Sequence, residues 1–364
     1  VAEFLRGLKR RREVEAALAN GKSVVTANKA LLARHGASLA RAAEAAGATL
    51  AFEASVCGGI PIIKGLREGL AANRITELHG ILNGTCNYIL SQMRDTGRAF
   101  EEVLAEAQAL GYAEADPSFD IDGIDTAHKL AILTAVAFGT EVDLGAVHIE
   151  GIRHIGALDI TYADELGYAI KLLGIARRTD RGIELRVHPT LIPGKRLLAN
   201  VEGPMNAVVV QGDAVGATLY YGKGAGAEPT ASAVVADLVD VTRLHTADPE
   251  HRVPHLAFQP DSLSNTPILP IDEVTSGYYL RLRVADETGV MANITRILAD
   301  GGISIDALLQ KESAEVDAQG KAETDVILIT HETVEKNVNA AIVQIEQLAT
   351  VVSSVTKLRM EALN

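Results

Sequence analysis

The chain has 364 residues, 48% of them hydrophobic and 22% charged, enough for two or three folded cores and incompatible with a disordered, collagen-like or low-complexity chain. Lys plus Arg number 34 and Asp plus Glu 47; the net charge of −13 argues against broad binding to nucleic acid or anionic membrane and leaves room for a local basic pocket. Two cysteines, Cys57 and Cys86, cannot build a disulfide framework, and no apolar run approaches the roughly 20 residues that span a bilayer, so a cytoplasmic protein is expected.

The first two hundred or so residues alternate short β-branched runs with helical patterns, as in α/β architecture. Val24-Val25 closes a strand, and Asn28 is placed to cap a helix running from Lys29 to about Ala46. Strands follow at Thr49–Phe52 and Ile75–Leu82, then helices at about Thr85–Arg94 and Glu101–Leu110, with Gly111 ending the second. A long apolar helix fits Ile124–Phe138. Further strands read at Ile183–Leu191, Ala207–Gln211 and Val215–Tyr221, with Gly212-Asp213 as a turn. The glycine-rich turn Gly222–Gly226 leads into a helix from about Thr230 to Leu244. From His245 to Gly277 periodicity disappears among Pro249, Pro254, Pro260, Pro267 and Pro270, and this reads as a solvated linker. Beyond it the order is βαββαβ: strand Tyr278–Val284, helix Val290–Ala299, strands Ile303–Lys311 and Asp325–Thr330, helix Val334–Leu348, strand Val351–Met360.

The segment 111–129, GYAEADPSFDIDGIDTAHK, is the most informative. Glu114, Asp116, Asp120, Asp122 and Asp125 crowd against an apolar helix, and Asp125 and Lys129 fall one turn apart on one face. A lysine desolvated near carboxylates can be tuned to move a proton, and the remaining carboxylates can grip a substrate ammonium group. A calcium loop is excluded, since in the register of Asp120-x-Asp122-Gly123 the twelfth position is Lys129 instead of glutamate. Lys29 stands where a strand end meets a helix start, the place where open α/β sheets bind ligands; an ordinary capped surface helix explains the same letters equally well. The run Phe52–Pro61 contains Gly58-Gly59, and its carbonyls could hold a hard monovalent cation, although a simple turn is equally compatible. Cys57 and Cys86 lack a catalytic partner pattern and read as buried small apolar residues.

Taken together these segments resemble homoserine dehydrogenases over essentially the whole chain. The matching strings are VVTANKALLA (24–33), FEASVCGGIPII (52–63), GILNGTCNYIL (80–90), GYAEADPSFDIDGIDTAHKL (111–130) and YGKGAGAEPTASAVVADL (221–238), while VADETGVMANI (284–294) resembles an ACT domain. The resemblance implies interconversion of L-homoserine and L-aspartate 4-semialdehyde with NAD or NADP, in the route to threonine and methionine. In the same way it implies Lys129 as the proton donor or acceptor, Asp125 as the group that orients it, and Lys29 beside nicotinamide and substrate. Glu114 and Asp120 would hold the substrate ammonium, with Tyr112, Asn83, Gly84 and Thr85 around it. Gly111 and Gly226 would approach the cofactor, and Glu53, Val56, Gly58 and Ile60 match a sodium or potassium site built largely of main-chain carbonyls. Two lysines converging on one site would lower each other's pKa.

The expected fold class is α/β, in three parts. A remnant of a Rossmann-type nucleotide-binding domain comprises 1–52 plus about 222–250, and an α+β catalytic and dimerisation domain spans 53–221. After a linker at 251–276, a ferredoxin-like ACT domain occupies 277–364. Only twenty-two residues precede Ser23, and Val1–Gly7 aligns with a family strand whose closing glycine pair would begin at Arg6. The expectation is a member lacking most of the nucleotide-binding half, including the pyrophosphate loop and the residues that separate NAD from NADP. The expected partners are the small-molecule substrate, threonine as effector at the ACT domain, and a second copy in a homodimer or homotetramer. The alternative reading is a catalytically impaired amino-acid sensor with a working ACT domain.

Overall fold

The computed structural model describes residues 2–244, 252–310, 315–316 and 322–363. In chain order the elements begin α1 (Ala2–Ala19), β1 (Val24–Val25), α2 (Lys29–Ala45), β2 (Leu50–Ala51), α3 (Ile62–Lys64) and β3 (Ile75–Ile81). Next come α4 (Gly84–Thr96), α5 (Phe100–Ala109), α6 (Ser118–Ile121), α7 (Ile124–Phe138), β4 (His148–Ile149) and α8 (Ala157–Glu165). They are followed by β5 (Tyr168–Thr179), β6 (Gly182–Pro193), β7 (Met205–Gly212), β8 (Gly216–Lys223) and α9 (Ala227–Leu244). The last group is β9 (Thr275–Ala285), α10 (Val290–Asp300), β10 (Ile305–Gln310), β11 (Glu315–Val316), β12 (Ala322–Thr330), β13 (Thr333–Val334), α11 (Glu335–Glu346) and β14 (Thr356–Met360).

Two units divide the chain, and β5 and β6 contribute residues to both. The first unit draws its described residues from Val1–His154, Leu172–His188 and Val201–Ile268. It holds a Rossmann-type β1-α2-β2 motif, with Val24 opposite Leu50 and Val25 opposite Ala51 in parallel register. The Asn28 side chain accepts from the Leu31 amide and caps α2 as its position predicts. Beside this motif an antiparallel sheet runs β8-β7-β3-β5, with β6 next to β5. Helix α7 is apolar nearly all round, and its side chains from Asp125 to Thr134 are buried without a break.

The second unit draws its described residues from Ile155–Lys171, Pro189–Asn200 and Leu269–Asn364. Its antiparallel order is β10-β12-β9-β14, and α10 and α11 pack on one face around Leu280, Leu282, Ile294, Leu298, Val338 and Ile345. This is the expected βαββαβ order, extended by the short β11 and β13. Glu335, 1% exposed, is met by Arg359, Lys357 and the Tyr278 hydroxyl, so a buried charge is fully partnered. Asp159 on α8 likewise receives a fork from Arg281 and a hydrogen bond from Tyr279.

Three features depart from the sequence reading. The strand expected over Val1–Gly7 is helical from Ala2 onward, because Glu, Arg, Lys, Leu and Ala dominate α1 and β-branched residues are scarce; Val1 lies outside the described residues. Helix α8 and strand β5 carry no period in the sequence that separates helix from strand. The expected linker is irregular but not free-running: Ser264 donates to the Gly139 carbonyl at 2.8 Å and Ile183 donates to Pro267 at 2.9 Å, while His255 and Leu256 are buried. Its first residues, 245–251, lie outside those described, as does Lys311 at the end of the expected third strand.

Candidate active site

A cavity of about 600 Å³ opens in the first unit where the C-terminal end of β3, the N-terminus of α4, the acidic turn before α7 and the β8–α9 glycine turn converge. Lys29, Asn83, Gly84, Thr85, Gly111, Tyr112, Glu114, Asp120, Asp125, Lys129 and Gly226 all line it, so residues spread over almost two hundred positions meet in one place. Of the five clustered carboxylates, only Glu114, Asp120 and Asp125 face this cavity. Asp116 instead accepts from the Ser118 amide, and Asp122 pairs with Arg153.

Asp125 lies between the two lysines. Its Oδ2 is 2.8 Å from Lys129 Nζ and its Oδ1 is 2.7 Å from Lys29 Nζ. Lys129 Nζ also donates to the Leu82 carbonyl at 2.6 Å, which leaves one N–H of the ammonium for a ligand. Burial disfavours the charge on Asp125, but the two ammonium groups outweigh it and hold the carboxyl well below the usual range. Burial likewise works against the Lys129 charge, and Asp125 overrides it, so the Lys129 pKa is raised. For Lys129 this reverses the downward shift expected from a neighbouring lysine. The carboxylate between them sets the sign.

Asn83 connects the acidic groups. Its Nδ2 donates to Asp120 at 2.8 Å and to Asp125 at 2.9 Å, and its Oδ1 caps α4 by accepting from the Cys86 amide. Burial pushes the Asp120 pKa up, opposed by the Asn83 hydrogen bond. Thr85 donates to the Tyr112 carbonyl at 2.6 Å, and the Tyr112 ring lies 4.8 Å from that of Tyr88, leaving its own face toward the cavity mouth half-exposed. Gly84 has no room for a side chain, since a Cβ would stand 2.6 Å from the Pro204 carbonyl oxygen.

A second, more open cleft of about 750 Å³ lies at the carboxyl end of β1, lined by Arg10, Glu13, the 24–31 segment and Phe119. Lys29 belongs to both clefts. A nucleotide fits this location on physical grounds, because the carboxyl end of a parallel strand and the N-terminus of α2 converge there and Arg10 adds positive charge.

The residues Glu53, Val56, Gly58 and Ile60 are not in the cavity wall. They form a buried turn next to the glycine loop, closed by the Gly59 amide donating to the Lys223 carbonyl at 2.9 Å. Both carboxylate oxygens of Glu53 are taken by the amides of Ile63 and Lys64 at 2.9 and 3.0 Å. Burial pushes the Glu53 pKa up to about 7. A cation in this turn would therefore meet main-chain carbonyls and not that side chain. Cys57, within the turn, holds φ +50, and burial raises its thiol to about 11; burial likewise pushes the Cys86 thiol up, so both are inert. Sequence reasoning missed Pro204 and Asn206 in the cavity wall, whereas Lys223 and Gly224 lie in the glycine-rich turn it singled out without assigning them to the site. Asn206 sits in the strand string MNAVVV, which carries no local signal of a site.

Known proteins match this chain in sequence and fold. The model of the homoserine dehydrogenase NAD-binding domain matches residues 10–53, that of homoserine dehydrogenase residues 61–239, and that of the ACT domain residues 278–348. A homoserine dehydrogenase of Pseudomonas aeruginosa is 58% identical over 348 residues, covering 96% of this chain and 79% of that protein. The crystal structure of a homoserine dehydrogenase from Thiobacillus denitrificans is 64% identical with a TM-score of 0.92, over 98% of this chain and 80% of that one. A hyperthermophilic archaeal homoserine dehydrogenase in complex with NADPH is 31% identical with a TM-score of 0.57, over 65% and 68%. The chain belongs to the homoserine dehydrogenase family of oxidoreductases and carries that family's nicotinamide-nucleotide-binding and catalytic segments together with an ACT domain.

Proposed function

We propose that this chain interconverts L-homoserine and L-aspartate 4-semialdehyde with NAD or NADP, in threonine and methionine biosynthesis, with Lys129 handling the proton. The observation that carries this reading is the Lys29–Asp125–Lys129 arrangement in the cavity wall, with the Leu82 carbonyl taking a second N–H of the Lys129 ammonium and the third left for the substrate. Lys29, Gly111 and Gly226 would hold the nicotinamide nucleotide, whose chemistry would be to take hydride from C4 of the alcohol or return it to the aldehyde. In the reducing direction the charged Lys129 donates a proton to the oxygen at C4 as negative charge develops there; in the oxidising direction its neutral form takes the alcohol proton. Asp125 orients Lys129 and balances both ammonium groups. Glu114 and Asp120 hold the substrate ammonium, Asn83, Gly84, Thr85 and Tyr112 bound the substrate, and Lys29, Gly111 and Gly226 lie against the cofactor. The nucleotide-binding domain, catalytic domain, linker and ACT domain are proposed with the boundaries read from the sequence. The test is homoserine-dependent reduction of NAD or NADP: reduction with homoserine and none with serine is expected, and absence of reduction alongside calorimetric homoserine binding would refute turnover.

The buried turn at Glu53, Val56, Gly58 and Ile60 is proposed to hold sodium or potassium through main-chain carbonyls, whose hard oxygens suit such ions. Sodium or potassium chloride should raise the melting temperature above that in choline chloride at equal ionic strength, and identical curves would remove the site. At the ACT domain, the Asp286–Val290 turn at the start of α10 is proposed to take threonine. Calorimetry should give a saturable heat with threonine that alanine does not reproduce; equal responses to both would exclude a threonine site. Family-type pairing of the sheets supports a homodimer, and ACT pairing a homotetramer. Cytoplasmic location is proposed from the two free, buried thiols; among the described residues no helix is long and apolar enough to cross a membrane.

A further inference from the structure

Asn206 on β7 is 2% exposed and forms part of the cavity wall, yet it belongs to none of the substrate, cofactor or cation roles proposed above. Two separate segments meet at its side chain. Its Nδ2 donates at 2.9 Å to the carbonyl of Ile81, the last residue of β3. The next carbonyl, that of Leu82, is the acceptor for Lys129 Nζ, and the next side chain, Asn83, holds Asp120 and Asp125. On its other side the amide packs flat onto the glycine turn: a Cβ on Gly224 would stand 1.6 Å from Asn206 Oδ1.

We infer that Asn206 is a positioning residue for proton transfer: it pins the Ile81–Leu82 peptide, next to the Leu82–Asn83 peptide whose carbonyl aims Lys129, and registers it against the Gly222–Gly226 turn. The inference rests on the role proposed above for Lys129. A buried amide that satisfies a strand-end carbonyl fixes the next peptide plane, and misplacing a reacting group by about 1 Å can cost about a hundredfold in rate. Gly224 is glycine because the Asn206 side chain occupies the space of a Cβ, so the two positions are sterically one unit.

The experiment reads Lys129 directly. In Asn206→Ala the Leu82 carbonyl is freed to drift, the Lys129 ammonium loses its aligned acceptor, and its ¹⁵N-detected titration midpoint should fall by about one unit. In the same variant kcat for homoserine oxidation should fall roughly 10- to 100-fold while the KM for homoserine stays within about threefold. Gly224→Ala, which drives Asn206 away, should lower the midpoint equally, and the double variant should lose less than the two single losses combined, since removing Oδ1 and Cγ relieves the overlaps at 1.6 and 2.1 Å and leaves only the tighter Cβ contact at 2.9 Å. If Asn206→Ala does not fold, Asn206→Ser, too short to reach Ile81, should give the same shift. An unmoved Lys129 midpoint, with any loss of kcat matched by a lower melting temperature, would overturn the inference and leave Asn206 a structural residue. A wild-type chain that binds homoserine without turning it over would defeat the dehydrogenase reading instead, and the titration would still decide the positioning.

Discussion

Replacing Asp125 by asparagine should lower the unfolding free energy by about 3–5 kcal/mol at pH 7, because it removes the shared partner of a buried lysine. Asp125 is 2% exposed and Lys129 8%. The pH dependence follows from the directions of their shifts. The folded-state pKa of Asp125 lies below the unfolded value of about 3.9, so its stabilisation is complete above that pH and is lost as pH falls through the folded value. Lys129 is shifted up from an unfolded value of about 10.4, so its stabilisation is complete below that pH and is lost as pH rises through the folded value. The wild type should therefore show a stability plateau between about pH 4 and pH 10 from this pair, and Asp125→Asn should lose most of it. Urea unfolding across that range checks the result. Equal midpoints for the two proteins would mean the pair contributes nothing. The substitution should also move the alkaline rise of homoserine oxidation to lower pH, because an unpaired Lys129 surrenders its proton more readily.

Lys129→Ala should reduce homoserine-dependent reduction of the nicotinamide nucleotide by about 10²–10⁴-fold, the usual contribution of a positioned acid or base. Homoserine affinity by calorimetry should change little, since Glu114 and Asp120 remain in the cavity to meet the substrate ammonium. A rate loss carried entirely by weaker binding would reassign Lys129 to substrate capture, and an undiminished rate would remove it from the reaction.

Much of the site was legible before the fold was known. The Asp125–Lys129 spacing announced a shared helical face, and α7 runs over Ile124–Phe138 as its apolar period requires. Asn28 and Gly111 marked helix ends by ordinary capping chemistry. What the letters could not carry was electrostatic sign. Two lysines read as mutually repelling until the structure put Asp125 between them. Long-range placement was equally hidden: Asn206 and Gly224 are adjacent only because β7 pairs with β3 and β8, with Asn206 opposite Gly222. The first residues align with a family strand, yet a composition dominated by helix formers makes them helical. Strand β5, YAIKLLGIARRT, is apolar on both faces over much of its length and so shows neither the period of a half-buried strand nor that of a surface helix.

The most direct measurement of the central claim follows a label from homoserine deuterated at C4. With this chain and NAD or NADP, deuterium should appear in the reduced nicotinamide, and transfer should collapse in Lys129→Ala while homoserine still binds. Unlabelled product, or no transfer from the wild type with homoserine bound, would contradict it.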